Sequence, residues 1–157
     1  MITLKTILHP TDFSESSRYA LELACAVARD QAARVILLHV LPRPASLIGN
    51  VPTHKAQHAE EDLKAYHDEM SGLLAKARDR APYAKVETKL KEGPVADVIR
   101  GTAAEIPADL IVMGSHGQSG VNQVLLGSVA AAVTRNAPCP VVTVKLPEQT
   151  GLARNGK

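Results

Sequence analysis

The segment RVILLHVL, residues 34–41, is an almost unbroken run of apolar residues. Such a run is expected when helices cover both faces of a parallel strand, whereas a strand with one wet face alternates apolar and polar residues. We therefore predict that this segment forms a central strand. Apolar residues with helical spacing precede it between Ala20 and Val27, and a charged helical segment follows at about residues 56–80.

Four further short apolar runs alternate with helical segments, which gives the order β-α-β-α-β-α-β-α-β. These additional strands are predicted at about residues 4–9, 84–91, 109–114 and 141–145. Residues 84–91 alternate polar and apolar side chains, which favours an edge strand. Helices between successive strands indicate a parallel sheet. The predicted fold class is therefore α/β, with a single doubly wound five-stranded sheet.

Polar residues and prolines mark the predicted helix starts. Ser14 or Ser16 can cap the first helix, and Gly93-Pro94 starts the third helix with proline in its first turn. The chain of 157 residues has the common size of one domain. We assign residues 1–146 to that domain and residues 147–157 to a flexible C-terminal tail.

The composition argues against several classes of partner. The 18 basic and 16 acidic residues give a net charge of +2, which is too balanced for a nucleic-acid or membrane-surface binder. Aromatic residues make up 3% of the chain, so few side chains could stack on bases. No apolar run approaches the ~20 residues that span a bilayer, and two cysteines without metal-ligand spacing fit a reducing compartment. We predict a cytoplasmic protein that binds a small molecule or another protein.

The strongest local signal is the glycine-rich segment GSHGQSGVNQVLLGS, residues 114–128. Gly114, Gly117 and Gly127-Ser128 would let backbone N–H groups approach an anion closely. The helix that follows would direct its positive end at the same charge. The alternative is an ordinary strand-to-helix turn with incidental glycines. The spacing matches neither a Walker A loop nor GxGxxG.

A second signal, HPTDFSES at residues 9–16, places Asp12 at the carboxyl end of the first strand. Its carboxylate could accept hydrogen bonds from adenine or ribose, or it could cap the first helix or lie in its first turn. Open parallel sheets bind ligands at the carboxyl ends of their strands, where the strand order reverses. With the order 3-2-1-4-5 this point lies between strands one and four. Asp12 and Gly114 would then converge on one crevice.

Four motifs resemble the universal stress protein family, and the resemblance extends to about Lys145. They are ILHPTDFS near the N-terminus, GPVADVI at the third helix, ADLIVMGSHG at the fourth strand and APCPVV before the last strand. The spacing G-x2-G-x9-G-S resembles that of the ATP-binding branch of this family. The resemblance implies a Rossmann-like, adenine nucleotide hydrolase-like fold. It also implies a homodimer formed through the last strand, Val141 to Lys145.

The resemblance further implies that the ligand is ATP, with Mg²⁺ carried by its phosphates. The residues expected against adenine and ribose are Pro10, Thr11, Asp12 and the backbone of Val40. Those expected around the ribose and the phosphates are Met113, Gly114, His116, Gly117, Gly127, Ser128 and Val129. Family members commonly have arginine at the position of Gln118 and often a hydroxyl residue at that of Ala130. We therefore expect weaker phosphate contacts here, within an intact site.

Other candidate residues have simpler interpretations. His116 is either a phosphate-side hydrogen-bond donor or general acid, or a loop residue whose backbone N–H matters. Three residues with metal-ligand spacing are expected to form a solvated helix face, so no metal site is predicted; they are His54, His58 and Glu61. Three more residues are expected to be structural: His9, His39 and Cys139.

Three functions are compatible with these signals. We favour a stress-response or signalling module that binds ATP, with nucleotide ordering residues 115–121. The alternatives are a slow ATPase or phosphoryl or adenylyl transferase, and a structural dimer that binds no nucleotide. Phosphoryl transfer requires cationic clamps and an anchored metal ion, and residues 114–128 contain no basic or acidic residue other than His116. ADP, AMP and a cyclic dinucleotide remain alternatives to ATP.

Overall fold

The structure is a computed structural model that describes residues 1–42, 53–83, 85–116 and 126–147, with residues 53–59 described as backbone only. Its strands are β1 (Thr6–Pro10), β2 (Arg34–Leu41), β3 (Val86–Glu92), β4 (Leu110–Gly114) and β5 (Val141–Val144). Its helices are α1 (Glu15–Gln31), α2 (Thr53–Arg80), α3 (Val95–Glu105) and α4 (Ser128–Asn136). These elements alternate along the chain as predicted.

The strands form one parallel sheet in the order β3-β2-β1-β4-β5. This order confirms the predicted 3-2-1-4-5 arrangement. β2 pairs with β1 on one side and β3 on the other, and it is buried from Val35 to Leu41. β3 is an edge strand, also as predicted.

Side chains of the strands alternate between the two faces of the sheet and build two apolar clusters. Ile7 and Leu37 belong to the cluster formed with α1 and α2, which includes the fully buried Cys25. Leu8 and Leu38, one residue further along, belong to the cluster formed with α3 and α4. Helices therefore cover both faces, which is the physical reason that β2 contains almost no polar residue.

The ends of several elements differ by a few residues from the predicted ones. β1 begins at Thr6 rather than at about residue 4, because the amides of Lys5 and Thr6 donate to Oδ2 of Asp109 (2.8 and 2.9 Å). α2 begins at Thr53 rather than at about residue 56. Pro94 precedes α3 as its N-cap, with an extended ψ of 119°, and is not part of the first turn.

Two predicted features lie wholly or partly outside the described residues. The tail at 147–157 is described only at Pro147, and the glycine-rich segment lacks residues 117–125. Across the described ranges, no helix has both the length and the apolar character needed to cross a bilayer.

Candidate nucleotide site at the carboxyl ends of β1 and β4

The crevice begins where β1 and β4 stop pairing. The two strands pair at Ile7↔Leu110 and Leu8↔Ile111 only. Beyond this point β1 leads into α1 on one face of the sheet, whereas the chain after β4 reaches α4 on the opposite face. The carboxyl ends of β1 and β4 therefore form the topological switch point, where open α/β sheets bind ligands.

A tight turn follows β1 and carries Asp12. The amide of Ser14 donates to Oδ1 of Asp12 (3.0 Å), and the amide of Phe13 donates to Oγ1 of Thr11 (3.1 Å). Ser14 is the N-cap of α1, since its side chain accepts from the amide of Ser17. The prediction of a serine cap is confirmed at Ser14, and the alternative that Asp12 caps the helix is wrong. Asp12 lies half-buried in the turn itself.

Thr11 is held by three further hydrogen bonds. Its amide donates to the carbonyl of Leu38 (2.8 Å), its Oγ1 accepts from the hydroxyl of Ser17 (2.7 Å), and its carbonyl lies 2.7 Å from Nδ1 of His39. The ring of Phe13 contacts the His39 imidazole, with centroids 4.6 Å apart. Sequence reasoning assigned His39 to the core and missed this contact. The signal was present, because a lone polar side chain in a buried strand requires a hydrogen-bond partner.

Gly114 ends β4 against the first turn of α1. A Cβ built at Gly114 would lie 2.7 Å from Oγ of Ser16 and 3.2 Å from both the carbonyl carbon of Ser16 and the amide nitrogen of Ser17. The sequence suggested one reason for glycine at this position, which is that an anion can approach its backbone closely. The structure adds a second, because the close packing of β4 on α1 requires glycine whether or not a ligand is present.

Residues 115–116 lie against the N-terminus of α4. The amide of Gly127 donates to the carbonyl of Ser115 (2.7 Å), and a Cβ at Gly127 would lie 3.0 Å from that oxygen. Gly127 is the N-cap of α4 and has no side chain to satisfy the amides of the first turn. The two ends of the glycine-rich segment therefore meet at a helix N-terminus, an arrangement that favours an anion.

His116 lies beside this helix end, and one nitrogen of its ring has no partner among the described residues. Its Nδ1 lies 2.8 Å from Oγ of the fully buried Ser115. Its Nε2 is buried and has no hydrogen-bond partner among the described residues. A buried polar atom without a partner is unusual in a folded protein. Nε2 is therefore a candidate for a hydrogen bond to a ligand.

The other expected site residues form the floor of the crevice or lie beside it. Val40 and Met113 are 5% exposed and pack in the α3–α4 cluster, and Pro10 is buried. Val129 packs against the same cluster, and Ser128 is exposed. Ala130 is 3% exposed and lies in the core. Gly117 and Gln118 lie outside the described residues.

His9 joins β1 to β4 by a hydrogen bond next to the crevice. Its Nδ1 lies 2.7 Å from the carbonyl of Val112, so a proton on Nδ1 is donated to β4. Burial lowers the pKa of His9 to about 4, against the opposing effects of this hydrogen bond and of the Asp12 charge. The imidazole is therefore neutral near pH 7. The prediction that His9 is structural agrees with this geometry.

The remaining candidates belong to α2 and to the segment before β5. The side chains of His54 and His58 lie outside the described residues, and no group of three potential metal ligands occurs among those that are described. Burial raises the pKa of the Cys139 thiol, which packs beside the α3–α4 cluster. A shallow cavity of about 490 Å³ opens between the end of α2 and the start of β3, at the amino ends of the strands. It does not reach the crevice.

Comparisons with known proteins agree with this fold. The sequence profile of the universal stress protein family matches residues 3–145. A universal stress protein of Methanocaldococcus jannaschii is 34% identical over 155 residues, which cover 92% of this chain and 84% of the relative. The solved structure of the hypothetical protein MJ0577 is 31% identical, with a TM-score of 0.76 over 93% of this chain and 99% of that one. A universal stress protein solved in complex with cAMP is 26% identical, with a TM-score of 0.68 over 92% and 98% of the two chains.

The family match and the strand order lead to the same assignment. The matched region extends from before β1 to just after β5 and includes both loops of the crevice. The chain belongs to the universal stress protein family.

Proposed function

We propose that this chain is a stress-response module that binds ATP in the crevice between β1 and β4. The observation that carries the proposal is the switch point between β1 and β4. The Asp12 turn follows β1, and His116, whose Nε2 has no partner among the described residues, follows β4 beside the uncapped N-terminus of α4. A universal stress protein of the same fold was solved with cAMP, an adenine nucleotide. That structure supports the ligand class, and the glycine spacing supports ATP within it.

The proposed orientation of ATP follows from charge. The amides at the start of α4 and the hydroxyl of Ser128 would bind the phosphates, because a helix N-terminus favours negative charge. The Asp12 carboxylate repels phosphate and would instead accept hydrogen bonds from the ribose hydroxyls or the adenine amine. Mg²⁺ would be carried by the phosphates, since residues 114–128 contain no carboxylate to bind it.

We further propose that binding, and not rapid turnover, is the function of the site. Fast phosphoryl transfer uses cationic clamps and protein ligands for a metal ion. Residues 114–128 contain no lysine, arginine, aspartate or glutamate. Nucleotide-dependent ordering of residues 115–121 would then change the surface that a protein partner recognises.

The quaternary structure proposed is a homodimer through β5. This strand is an edge of the sheet, and Val142 and Leu146 beside that edge are 39% and 37% exposed. An unpaired strand edge offers N–H and C=O groups to another chain. A second copy would pair with the segment Val141 to Lys145.

The direct test is the nucleotide content of the purified protein, followed by calorimetric titration of the nucleotide-free protein with ATP. We expect retained adenine nucleotide in mass spectra and an ATP affinity that Asp12→Asn lowers about tenfold, a change of about 1.4 kcal/mol. Asn keeps the oxygen that accepts from Ser14, so the turn is preserved while the charge is lost. Absence of ATP binding, or equal affinity in the variant, would contradict the proposed site.

A further inference from the structure

His39 connects the centre of the sheet to the turn that carries Asp12. It lies near the end of β2 and is 8% exposed, in a strand whose neighbouring side chains are apolar. Its position places the imidazole on the same face of the sheet as α1, beneath residues 11–13. No other side chain of β2 forms a described hydrogen bond to the turn.

The direction of its hydrogen bond is fixed by chemistry. A carbonyl oxygen can only accept, so the 2.7 Å contact between Nδ1 of His39 and the carbonyl of Thr11 requires a proton on Nδ1. In the neutral ring Nε2 is then the bare nitrogen, and this atom is buried without a hydrogen-bond partner among the described residues. The tautomer of His39 thus follows from a single contact.

The turn above His39 has a conformation that requires support. Phe13 has φ = 63°, in the left-handed region that side chains other than glycine rarely adopt. Its ring lies on the His39 imidazole at 4.6 Å, with the planes inclined by 41°. His39 therefore holds the turn at two places, the carbonyl before Asp12 and the side chain after it. These two contacts flank Asp12.

We propose that His39 is a positioning residue of the nucleotide site, which orients the Asp12 carboxylate toward the nucleoside by holding Thr11 and Phe13. This inference rests on the proposed function, because it assigns His39 a role in the same site. It makes a distinct claim, however. Loss of the Nδ1 donor should weaken binding of the nucleoside part of the ligand and leave the phosphate part unaffected.

Two variants separate the donor from the bulk of the ring. In His39→Asn the side-chain amide nitrogen takes the place of Nδ1 and can donate to Thr11, whereas His39→Leu fills the space without a donor. We expect about tenfold weaker binding of both adenosine and ATP to His39→Leu, and recovery to within about threefold of wild type in His39→Asn. Binding of inorganic tripolyphosphate should be the same in all three proteins.

Nuclear magnetic resonance of the ligand-free protein supplies a second readout. At about pH 8, above the ordinary pKa of histidine, the ¹⁵N spectrum of His39 should show the proton on Nδ1. The amide ¹⁵N resonance of Asp12 should shift in His39→Leu and return toward its wild-type position in His39→Asn, because it belongs to the same peptide group as the Thr11 carbonyl. A proton on Nε2 would overturn the inference.

The outcomes are distinguishable from a failure of the proposed function. If the wild-type protein binds no adenosine or ATP, the proposed function is wrong and the role of His39 in it is wrong as well. If the wild type binds and His39→Leu binds equally well, or His39→Asn is as weak as His39→Leu, only the positioning role is overturned. Should His39→Leu fail to fold, as judged by circular dichroism, His39→Met, which also lacks a donor, takes its place in the same comparison.

Discussion

Gly114 illustrates how a residue of the proposed nucleotide site can also be required for packing. A methyl group there would collide with the first turn of α1, at 2.7 Å from Oγ of Ser16 and 3.2 Å from its backbone. We predict that Gly114→Ala lowers the free energy of unfolding by about 1–3 kcal/mol, as overpacking does elsewhere. Chemical denaturation of the ligand-free protein measures this loss.

Gly101 provides the matched control. It lies exposed within α3, and a Cβ at this position would meet no atom within 4 Å. Gly101→Ala should therefore stabilise the protein by about 0.5–1 kcal/mol, since glycine is a poor helix former. Equal effects of the two substitutions would show that β4 does not pack on α1 as described.

His9 makes stability depend on pH. The pKa of its imidazole is about 4 in the folded protein and the ordinary value is 6.5. Between these values the unfolded chain binds a proton that the folded protein does not. The free energy of unfolding therefore has its full value above about pH 6.5 and decreases by about 3 kcal/mol as the pH falls toward 4.

The substitution His9→Asn tests this assignment. An asparagine amide can donate to the Val112 carbonyl in place of Nδ1 and does not titrate. Denaturation curves at several pH values should show that the variant loses about 3 kcal/mol less than wild type between pH 7 and pH 4. The same pH dependence in both proteins would mean that another group causes the acid loss.

At the residue scale, the sequence predicted where a residue lies within its element better than it predicted which residues it contacts. Gly114 ends β4 and Asp12 follows β1 as predicted, and Ser14 is one of the two predicted caps of α1, because strand ends and caps are local features. The contact of Gly114 with Ser16 joins residues about 100 positions apart, and the hydrogen bond of His39 to Thr11 joins β2 to the turn after β1. Such contacts depend on the packed sheet, which no local pattern specifies.

At the scale of elements, Asp109 joins the start of β4 to the start of β1. Its Oδ2 accepts from the amides of Lys5 and Thr6, and these two hydrogen bonds lower the pKa of the carboxyl group. We predict that Asp109→Ala lowers the free energy of unfolding by about 2 kcal/mol at pH 7, because hydrogen bonds to a charged acceptor are lost. The contribution is present above the ordinary carboxyl pKa of about 4 and is lost as the pH falls through the lowered value.

Asp97 provides the control for the Asp109 substitution. It pairs with Arg100 on the surface of α3, with a side chain that is 66% exposed. Exposed pairs contribute little, so Asp97→Ala should change stability by less than about 0.5 kcal/mol. Thermal or chemical unfolding of the two variants side by side decides whether Asp109 has the larger role.

The order of the elements was predictable, and their ends were less so. Apolar periodicity gave the alternation of strands and helices, and the edge position of β3 followed from its polar residues. The start of β1 depended on the long-range contact with Asp109, and Pro94 precedes α3 because its extended ψ keeps it outside the helix. Long-range hydrogen bonds and backbone angles of this kind shift the ends of strands and helices by one to three residues from the predicted positions.

At the scale of the whole molecule, the proposed dimer can be broken without altering the subunit fold. The carbonyls of Pro140 and Val144 accept from the amides of Ile111 and Ser115, so alternation directs the amide of Thr143 away from β4. Thr143→Pro removes that outward amide from an edge strand, where proline is tolerated. We predict a monomer in sedimentation experiments.

Thr143→Val is the control, because it keeps the amide and a β-branched side chain. It should remain dimeric, and both variants should retain the circular dichroism spectrum of the wild type. A dimer that survives Thr143→Pro unchanged would exclude pairing through β5.

The central claim, that ATP phosphates bind at the N-terminus of α4, is tested most directly by calorimetric titration of ATP into wild type, Ser128→Ala and Ser128→Pro. Proline is favoured at the first helical position, and the extended ψ of 154° at Gly127 accommodates it, so Ser128→Pro removes an amide without disrupting the helix. We predict that Ser128→Ala, which loses the hydroxyl, binds ATP about threefold more weakly than wild type, and that Ser128→Pro, which also loses the amide, binds it at least about tenfold more weakly. Adenosine should bind all three proteins equally. Equal ATP affinity in wild type and Ser128→Pro, or no ATP binding at all, would contradict this account.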